Sequence, residues 1–195
     1  MEAITLASSS PQRQAILKQL HIPFIVAAPQ TEELFNANLS PQKNVEHIAM
    51  EKAKAALNMQ APPSTRYLIA ADTLVFLHDK PIGKPPTACE ARKLLQAYSN
   101  TAHTVISAIC CYTAEQRRFS TITSCSHVFF KPLTDREIDW YLSLGEWQNA
   151  AGGYRIQGAA ACFISRIEGS YSGIMGLPIY ELYAILTREG YHFNS

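Results

Sequence analysis

The stretch Ile4-Thr5-Leu6-Ala7-Ser8-Ser9-Ser10-Pro11-Gln12-Arg13 joins an apolar strand to the start of a helix. Ser10 is a residue type that caps helices, and Pro11 suits the first helical position, where a missing N–H removes no hydrogen bond. The free N–H groups of such a helix end, the serine hydroxyls and Arg13 favour an anion, above all phosphate. A helix cap without any ligand explains the same residues, so both interpretations stay open at this point.

The size and charge of the chain narrow its class. At 195 residues it is long enough for one domain with a well-buried core. Apolar residues make up 47% and charged residues 17%, as in an ordinary globular enzyme. The net charge of +1, without a basic block, argues against nucleic-acid or membrane partners, and no run approaches the roughly 18 apolar residues of a membrane span. The chain opens on a strand pattern instead of a signal peptide, so we expect a cytoplasmic protein.

The cysteines and histidines indicate neither disulfides nor zinc. The five cysteines are odd in number and include no C-x-x-C, and most lie within apolar runs, so we expect them to be reduced core residues. They are Cys89, Cys110, Cys111, Cys125 and Cys162. The six histidines show no metal-ligand spacing, which argues against a zinc site.

Four later helices are predicted from their starting residues. A Ser-Pro pair opens the first, Thr and Glu at capping-box spacing open the next two, and a proline opens the last. These starts are Ser40-Pro41, Thr87 with Glu90, Thr134 with Glu137, and Pro178; the first of these helices ends near Leu57 and the last is closed by Gly190.

Apolar runs between the helices predict strands. Tyr67–Ala71 continues into Leu74–Leu77 as a buried strand, and Ala159–Ile164 predicts another. The runs Thr104–Thr113 and Phe119–Phe130 are joined by a short polar turn and predict an antiparallel hairpin. Because strands and helices interleave around this hairpin, we expect an α/β fold with a mixed sheet and flanking helices.

A lysine interrupts the apolar stripe of the helix that begins at Pro41. Val45 and Ile48 share that stripe, and Lys52 lies seven residues after Val45, at its centre. Lysines are rarely buried without a partner. A stem that reaches solvent, or a structural ion pair, explains this position as well as an ammonium group that faces an anion.

Asp72 interrupts a second apolar pattern, since it ends the run Tyr67–Ala71 and precedes another apolar stretch. A carboxylate at the end of a central strand is a common metal ligand or base. The alternative is an aspartate that caps a turn.

Other candidates carry weaker signals. Lys84 lies on a Gly-Lys-Pro turn and Glu33 in a polar loop, where solvated charges are the ordinary explanation. His103 begins a strand, where a structural role is more common than that of a catalytic base. The segment Tyr154–Gly158 offers Arg and Gln donors that would suit a base edge or a phosphate.

Several familiar motifs are absent, namely G-x-x-x-x-G-K-S/T, G-x-G-x-x-G and G-x-S-x-G. Their absence disfavours the usual kinases, dehydrogenases and serine hydrolases. Two lysines, an arginine, a serine-lined helix start and carboxylates remain. Together they suit a Mg²⁺ or Mn²⁺ site that acts on a polyphosphate.

Short segments along nearly the whole chain resemble, in order, the Maf family of nucleoside triphosphate pyrophosphatases, which was earlier associated with septum formation. The segments are Leu6–Arg13, Glu32-Glu33, Glu51–Ala53, Ala71–Thr73, Gly83–Pro85, His103–Val105, Gly145-Glu146, Ala151–Gly158, Gly169–Tyr171 and Met175–Pro178. The resemblance implies one domain over residues 1–195, with a strongly curved mixed sheet and two lobes around a central cleft. It also implies hydrolysis of dTTP, UTP or related nucleotides to the monophosphate and pyrophosphate, by a homodimer.

The resemblance also assigns roles to single residues. Asp72 matches the family's catalytic carboxylate, which takes the proton from the attacking water. Glu33 matches a carboxylate that shares a Mg²⁺ or Mn²⁺ site with it. The family's phosphate-binding set corresponds to Ser8, Ser10, Arg13, Lys52 and Lys84. Thr73 and Gln157 match positions that favour dTTP and UTP over 7-methyl-GTP, and Gln12 stands at a position associated with substrate choice.

Three departures from the family pattern leave alternatives open. Gln12 replaces the first of two arginines. In the segment Glu146–Gly152, Asn149 and Ala150 stand where the family commonly has an aspartate and a lysine. The usual glycine before His103 is also missing. An enzyme with its own base preference is the first hypothesis. A nucleotide-binding regulator of cell division that has lost turnover is the second. Broad clearance of non-standard nucleotides, as by the related inosine triphosphatase fold, is the third.

Overall fold

The structure, a computed structural model, describes residues 1–31, 34–59 and 64–194. Within these residues seven strands form one sheet. The strands are β1 (Ile4–Leu6), β2 (Phe24–Val26), β3 (Tyr67–Leu77), β4 (Lys80–Ile82), β5 (Ala102–Thr113), β6 (Arg118–Phe130) and β7 (Ile164–Glu168). The helices are α1 (Pro11–Gln19), α2 (Pro41–Leu57), α3 (Ala88–Tyr98), α4 (Asp135–Ser143), α5 (Tyr171–Met175) and α6 (Ile179–Arg188).

The sheet is mixed, as expected. Its strand order is β2-β1-β3-β5-β6-β7, and β4 pairs with β3 outside this path. β1 runs parallel to β2 and β3, whereas β4 is antiparallel to β3 and β7 is antiparallel to β6. β5 and β6 are neighbours joined by four residues, so they form the predicted hairpin. The α/β class is therefore confirmed, while the curvature of the sheet, the central cleft and the single-domain organisation stay predictions.

The helix starts follow from their capping residues. Ser10 caps α1 through its side chain, and Pro11 is the first helical residue. Thr134 and Glu137 form the predicted capping box of α4. At α3 only half of the predicted box forms: Thr87 accepts from the Glu90 backbone, but the Glu90 carboxylate accepts from Lys93 instead.

The chain divides into two compact units, and each has its own core. The first unit comprises Met1–Asp72, Ser107–Ser124 and Gly176–Ser195. Its fully buried side chains lie on β1, α1, α2, β3, β5 and α6 and include Ile4, Leu17, Val45, Ile69 and Ile185. The second unit comprises Thr73–Ile106 and Cys125–Met175. Its core packs α3 and α4 with aromatic side chains that include Tyr98, Phe130, Tyr141, Tyr154 and Phe163.

The predicted strand at Ala159–Ile164 is wrong. Ala159–Phe163 is a 3₁₀ helix, and β7 begins only at Ile164. The Ala159 N–H donates to the Glu146 carboxylate and the Ala161 N–H donates to the Gly158 carbonyl, so both groups serve a turn and not a sheet. Three consecutive alanines favour a helical turn over a pleated strand.

The cysteine prediction holds only in part. All five cysteines are free, in agreement with the expectation of reduced thiols. Cys110 and Cys111 are buried in β5, but Cys89, Cys125 and Cys162 are exposed, so the expectation of a core position is wrong for these three. None of the described helices is both long and apolar enough to cross a membrane.

Candidate active site

The turn that follows β1 is organised by its own serines. The Ser8 hydroxyl accepts from the Ser10 N–H at 3.2 Å, and the Ser10 hydroxyl caps α1 by accepting from the Arg13 N–H. The Ser10 hydroxyl also lies 3.3 Å from the Gln12 Oε1 atom, to which it donates. The turn therefore brings Ser8, Ser10 and Gln12 together at the N-terminus of α1, where backbone N–H groups favour an anion.

Arg13 completes this turn from the first turn of the helix. Its Nη1 atom donates to the Ser8 hydroxyl at 2.9 Å, and its Nε atom donates to the Gly176 carbonyl at 2.8 Å. The guanidinium group thus ties the serine turn to the chain just before α6. Both contacts lie within the first unit, and they hold a fixed positive charge beside the helix N-terminus.

Lys52 and Asp72 meet in the first unit. The Lys52 Nζ atom lies 2.6 Å from the Asp72 Oδ1 atom, and the two side chains are 11% and 4% exposed. The apolar stripe of α2 carries Lys52 inward, so the sequence-based alternative of an ion pair is confirmed. Asp72 is the sixth residue of β3, which begins at Tyr67, so the alternative of a turn or capping aspartate is wrong.

The second carboxylate oxygen of Asp72 does not share the hydrogen bonding of the first. The Oδ2 atom is buried and has no hydrogen-bond partner within residues 1–31, 34–59 and 64–194. Burial of an unsatisfied carboxylate oxygen is costly, and such atoms are uncommon in proteins. Asp72 therefore keeps one oxygen fixed by a cation and one oxygen free to accept a proton or to bind a metal ion.

The sheet places the start of the serine turn beside the part of β3 that leads to Asp72. Leu6 pairs with Ile69 in the parallel ladder of β1 and β3, and the Ala7 N–H donates to the Ile69 carbonyl at 2.8 Å. The chain leaves β1 through Ser8 alongside the part of β3 that leads to Asp72. Residues that are far apart in sequence thus share the carboxyl end of one parallel strand pair, where ligands commonly bind in open α/β sheets.

The remaining sequence candidates with described structure lie in the second unit. Thr73 is half-buried in β3, and Lys84 is exposed on the turn after β4. The Gly83 carbonyl accepts from the Gly152 N–H at 3.1 Å, so the turn that carries Lys84 is held against the segment that leads to Gln157. Gln157 itself is exposed.

Arg155 is a candidate that the structure assigns to a different task. Its Nε atom donates to the Glu146 carbonyl at 3.1 Å and its Nη2 atom donates to the Gln148 carbonyl at 2.9 Å. The guanidinium group therefore fastens its own loop, and the idea that it offers donors to a base or a phosphate is not supported.

His103 lies in a buried aromatic cluster. It is 2% exposed, its Nε2 atom lies 2.7 Å from the Tyr154 hydroxyl, and its ring stacks on Tyr98 with a centroid distance of 4.2 Å. Phe130 completes the cluster at 5.5 Å from the His103 ring. This enclosure supports the structural interpretation of His103, because the imidazole ring does not face solvent.

Burial lowers the pKa of His103 to about 4. Burial also raises the pKa values of Tyr98 and Tyr154, so both neighbours are neutral in acid. Because the folded pKa lies below the unfolded value near 6.5, the unfolded chain binds the proton first. The contribution of His103 to stability is complete above about pH 6.5 and is lost as the pH falls toward 4.

We expect this titration to cost about 3 kcal/mol of unfolding free energy between pH 6.5 and pH 4. Urea unfolding over this range measures it. His103→Gln should reduce the dependence of the unfolding free energy on pH below pH 6.5, because glutamine does not titrate. His127→Gln is the matched control, since it is the same chemical change at an exposed histidine of β6. If the unfolding free energy of His103→Gln falls with decreasing pH as steeply as that of the unchanged protein, the prediction is contradicted.

The predicted metal ligand Glu33 lies outside the described residues. Among the residues that are described, no three His, Cys, Asp or Glu side chains cluster as a metal site. Asp72 is thus the one member of the predicted ligand pair whose surroundings are described. The metal site stays a prediction.

Comparison with known proteins identifies the family. Residues 3–189 match the family model described as Maf-like protein. The chain belongs to the Maf-like family. A Treponema denticola protein named dTTP/UTP pyrophosphatase is 40% identical to it over 197 aligned positions, which cover 96% of this chain and 97% of that protein. A Pasteurella multocida protein of the same name is 39% identical, with 95% and 94% of the two chains covered.

Membership of the Maf-like family accounts for the order of the matching segments along the chain. A Hydrogenovibrio crunogenus relative, also named dTTP/UTP pyrophosphatase, is 37% identical over 96% of both chains. Among solved structures, the Staphylococcus aureus Ham1 protein is a distant likeness, with a TM-score of 0.45 and 17% identity over 66% of this chain and 72% of that chain.

Tyr154 is a buried residue near Gln157 whose importance the sequence did not indicate. Its hydroxyl is buried against His103, and it stands three residues before Gln157. A tyrosine between glycines and an arginine has no distinctive local pattern. The useful signal is the pairing of an inward-facing strand histidine with a buried tyrosine, which only the fold reveals.

Proposed function

We propose that this chain is a nucleoside triphosphate pyrophosphatase that converts dTTP and UTP to the monophosphate and pyrophosphate. The relatives that cover almost its whole length carry that activity in their names. The single observation that carries the proposal is the Asp72 carboxylate, which Lys52 holds at one oxygen and whose other oxygen is buried without a hydrogen-bond partner among the described residues. That arrangement suits a base that receives a proton from water.

The hydrolysis adds water across the anhydride bond between the α and β phosphoryl groups. The water oxygen bonds to the α phosphorus, and one of its protons passes to the Asp72 Oδ2 atom. The bond from the α phosphorus to the bridging oxygen breaks, and that oxygen leaves with pyrophosphate. Lys52 orients the carboxylate through the Oδ1 atom at 2.6 Å. Orientation of the base before the reaction is a large part of such catalysis.

The serine turn is the proposed phosphate site. Ser8, Ser10 and the first N–H groups of α1 lie together, and Arg13 places a guanidinium group against the Ser8 hydroxyl. Charge-assisted hydrogen bonds from such a set hold phosphate oxygens well. Lys84, exposed on its turn, is proposed as a further phosphate contact.

A divalent cation, Mg²⁺ or Mn²⁺, is the proposed cofactor. The buried Asp72 Oδ2 atom, for which the described part of the chain offers no hydrogen-bond partner, fits such an ion because hard cations prefer carboxylate oxygens. Asp72 and Glu33 would hold it. A bound divalent cation lowers the pKa of a coordinated water and neutralises charge on the phosphates.

Base selection is proposed to rest on Thr73, Gln157 and Gln12. The carboxamide of Gln157 is exposed and can both donate and accept, as the edge of uracil or thymine requires. Gln12 places a second neutral amide beside Ser10 at the phosphate turn. A homodimer in the cytoplasm belongs to the same proposal, and light scattering of the purified protein tests the dimer.

The alternative of a regulator without turnover is not favoured. Its motivation is the departures at Gln12 and at Asn149-Ala150. The Lys52–Asp72 pair is nevertheless in place, and relatives at about 40% identity are named as enzymes. The departures therefore bear on substrate preference more than on the chemistry.

A substrate panel tests the proposed function. We expect the purified protein with Mg²⁺ or Mn²⁺ to show its highest kcat/KM on dTTP and UTP, with lower values on CTP, 7-methyl-GTP and inosine triphosphate. Product must appear as monophosphate and pyrophosphate. Equal rates on all five nucleotides would favour broad clearance of non-standard nucleotides, and binding without turnover would favour the regulator.

A further inference from the structure

Gln157 is presented by a short turn in the second unit. The Gly158 N–H donates to the Arg155 carbonyl at 3.0 Å, which closes a four-residue turn with Gln157 at its third position. Between Gly152 and Gly158, Gln157 is the exposed residue, while Tyr154 and Ile156 are buried on either side of Arg155. The turn thus directs one carboxamide outward from a segment that is otherwise packed inward.

Both ends of this turn are fixed by side chains. The Arg155 N–H donates to the Tyr141 hydroxyl at 3.2 Å. The Glu146 carboxylate accepts from the Ala159 N–H at 2.9 Å, on the other side of Gln157. A Cβ atom at Gly158 would lie 2.1 Å from the Glu146 Oε2 atom, so the backbone comes very close to this carboxylate. Gln157 has little backbone freedom of its own.

The chain that enters the turn needs a separate anchor. Gly152 and Gly153 both have positive φ angles, of 73° and 76°, and glycines allow many backbone conformations in the absence of other restraints. Tyr154 follows them directly, and its hydroxyl reaches the His103 Nε2 atom at 2.7 Å. Since His103 belongs to β5, this hydrogen bond fastens the end of the glycine pair to the sheet.

The anchor is buried and has no competing solvent. His103 is 2% and Tyr154 is 6% exposed, and the rings of Tyr98 and Phe130 pack against the Tyr154 ring at 5.9 and 5.2 Å. Loss of the hydroxyl would keep the ring packing but would let the Tyr154 ring shift relative to His103. The hydroxyl therefore fixes the position of Tyr154 along β5, while the rings supply most of the packing energy.

We propose that Tyr154, held by His103, is a positioning residue that sets the direction of the Gln157 side chain and so contributes to base selection. The inference rests on the proposed function, which makes Gln157 a base-selecting residue. It adds a part of the machinery that touches no substrate and acts through the turn Arg155–Gly158.

Tyr154→Phe tests the inference, because it removes one oxygen atom and keeps the ring. We expect KM for dTTP and UTP to rise three- to tenfold with kcat unchanged within about twofold, as for the loss of one buried hydrogen bond. The preference for these nucleotides over 7-methyl-GTP should fall by the same factor. His103→Phe removes the partner nitrogen and should reproduce the effect, which guards against a defect peculiar to one variant.

Tyr67→Phe is the matched control. Tyr67 is a fully buried tyrosine of the first unit whose hydroxyl donates to the Glu189 carbonyl at 3.3 Å. Its variant loses a comparable hydrogen bond and should lower thermal stability without changing base preference. A loss of preference in Tyr67→Phe as large as in Tyr154→Phe would show a general loss of stability and would overturn the inference.

A double-mutant cycle with Gln157→Ala separates the inference from the proposed function. We expect Gln157→Ala to lower the preference for dTTP and UTP, and Tyr154→Phe to have no further effect in that background. If Gln157→Ala changes nothing, the proposed base-selecting role fails and the inference falls with it. If Gln157→Ala lowers the preference but Tyr154→Phe does not, or if the two effects add, only the positioning role of Tyr154 fails.

Discussion

Replacement of Asp72 by asparagine is expected to lower kcat on dTTP and UTP by a factor of about 10² to 10⁴, the usual contribution of a positioned base. The variant keeps the size of the side chain but removes the carboxylate that would accept the proton. Because the serine turn, Arg13 and Lys84 are unchanged, we expect nucleotide binding, measured by calorimetry, to persist. A fall in kcat with retained binding is the signature of lost chemistry.

The control for this variant is Asp79→Asn. Asp79 lies exposed on the turn between β3 and β4 with a φ angle of 60°, a conformation that asparagine tolerates well. The same chemical change at this position should leave kcat unaltered. If Asp72→Asn turns over dTTP within threefold of the unchanged protein, Asp72 is not the base and the proposed mechanism is wrong.

Lys52→Met is expected to lower the free energy of unfolding by about 3 to 5 kcal/mol, because it leaves the Asp72 carboxylate buried without its cation. The same variant should lose activity, since the carboxylate is no longer oriented. Addition of Asp72→Asn to Lys52→Met should restore part of the lost stability, because no charge then remains buried. Urea unfolding of the three variants measures the coupling.

Lys54→Met provides the comparison on the same helix. Lys54 pairs with Glu51 at 2.8 Å, but the two side chains are 46% and 45% exposed, and such surface pairs contribute about 1 kcal/mol or less. A loss of stability in Lys52→Met no larger than in Lys54→Met would mean that the Lys52–Asp72 pair is not buried in solution.

The local features of the fold could be predicted where a few adjacent residues determine the structure. Ser10 and Pro11 specify a helix start by themselves, and so do Thr134 and Glu137, because a cap needs only a side chain and the N–H groups of the next turn. The hairpin of β5 and β6 follows from two long β-rich runs and a short turn. These interactions lie within a few residues in sequence.

The prediction failed where distant groups decide. Ala159–Phe163 forms a 3₁₀ helix in which the Glu146 carboxylate accepts from the first N–H, and nothing near Ala159 in sequence reveals that partner. Cys125 lies within a β-rich run and Cys162 follows three alanines, yet both are exposed, because alternate residues of a strand face opposite sides and a 3₁₀ turn exposes one face.

The candidate site could be predicted as separate residues but not as an arrangement. The stripe of α2 indicated that Lys52 points inward, and the interruption at Asp72 indicated a special carboxylate. That the two form one ion pair depends on the packing of α2 against β3, which no local pattern contains. The same limit explains Arg155, whose guanidinium group is taken up by carbonyls of its own loop, and Tyr154, whose partner is 51 residues away.

The identity of the products formed from UTP tests the proposed mechanism most directly. Phosphorus NMR of the purified protein with Mg²⁺ and UTP should show UMP and pyrophosphate appearing together in equal amounts, and Asp72→Asn should form both at least about a hundred times more slowly. Formation of UDP and orthophosphate, or equal turnover by Asp72→Asn, would contradict the proposal that Asp72 delivers water to the bond between the α and β phosphoryl groups.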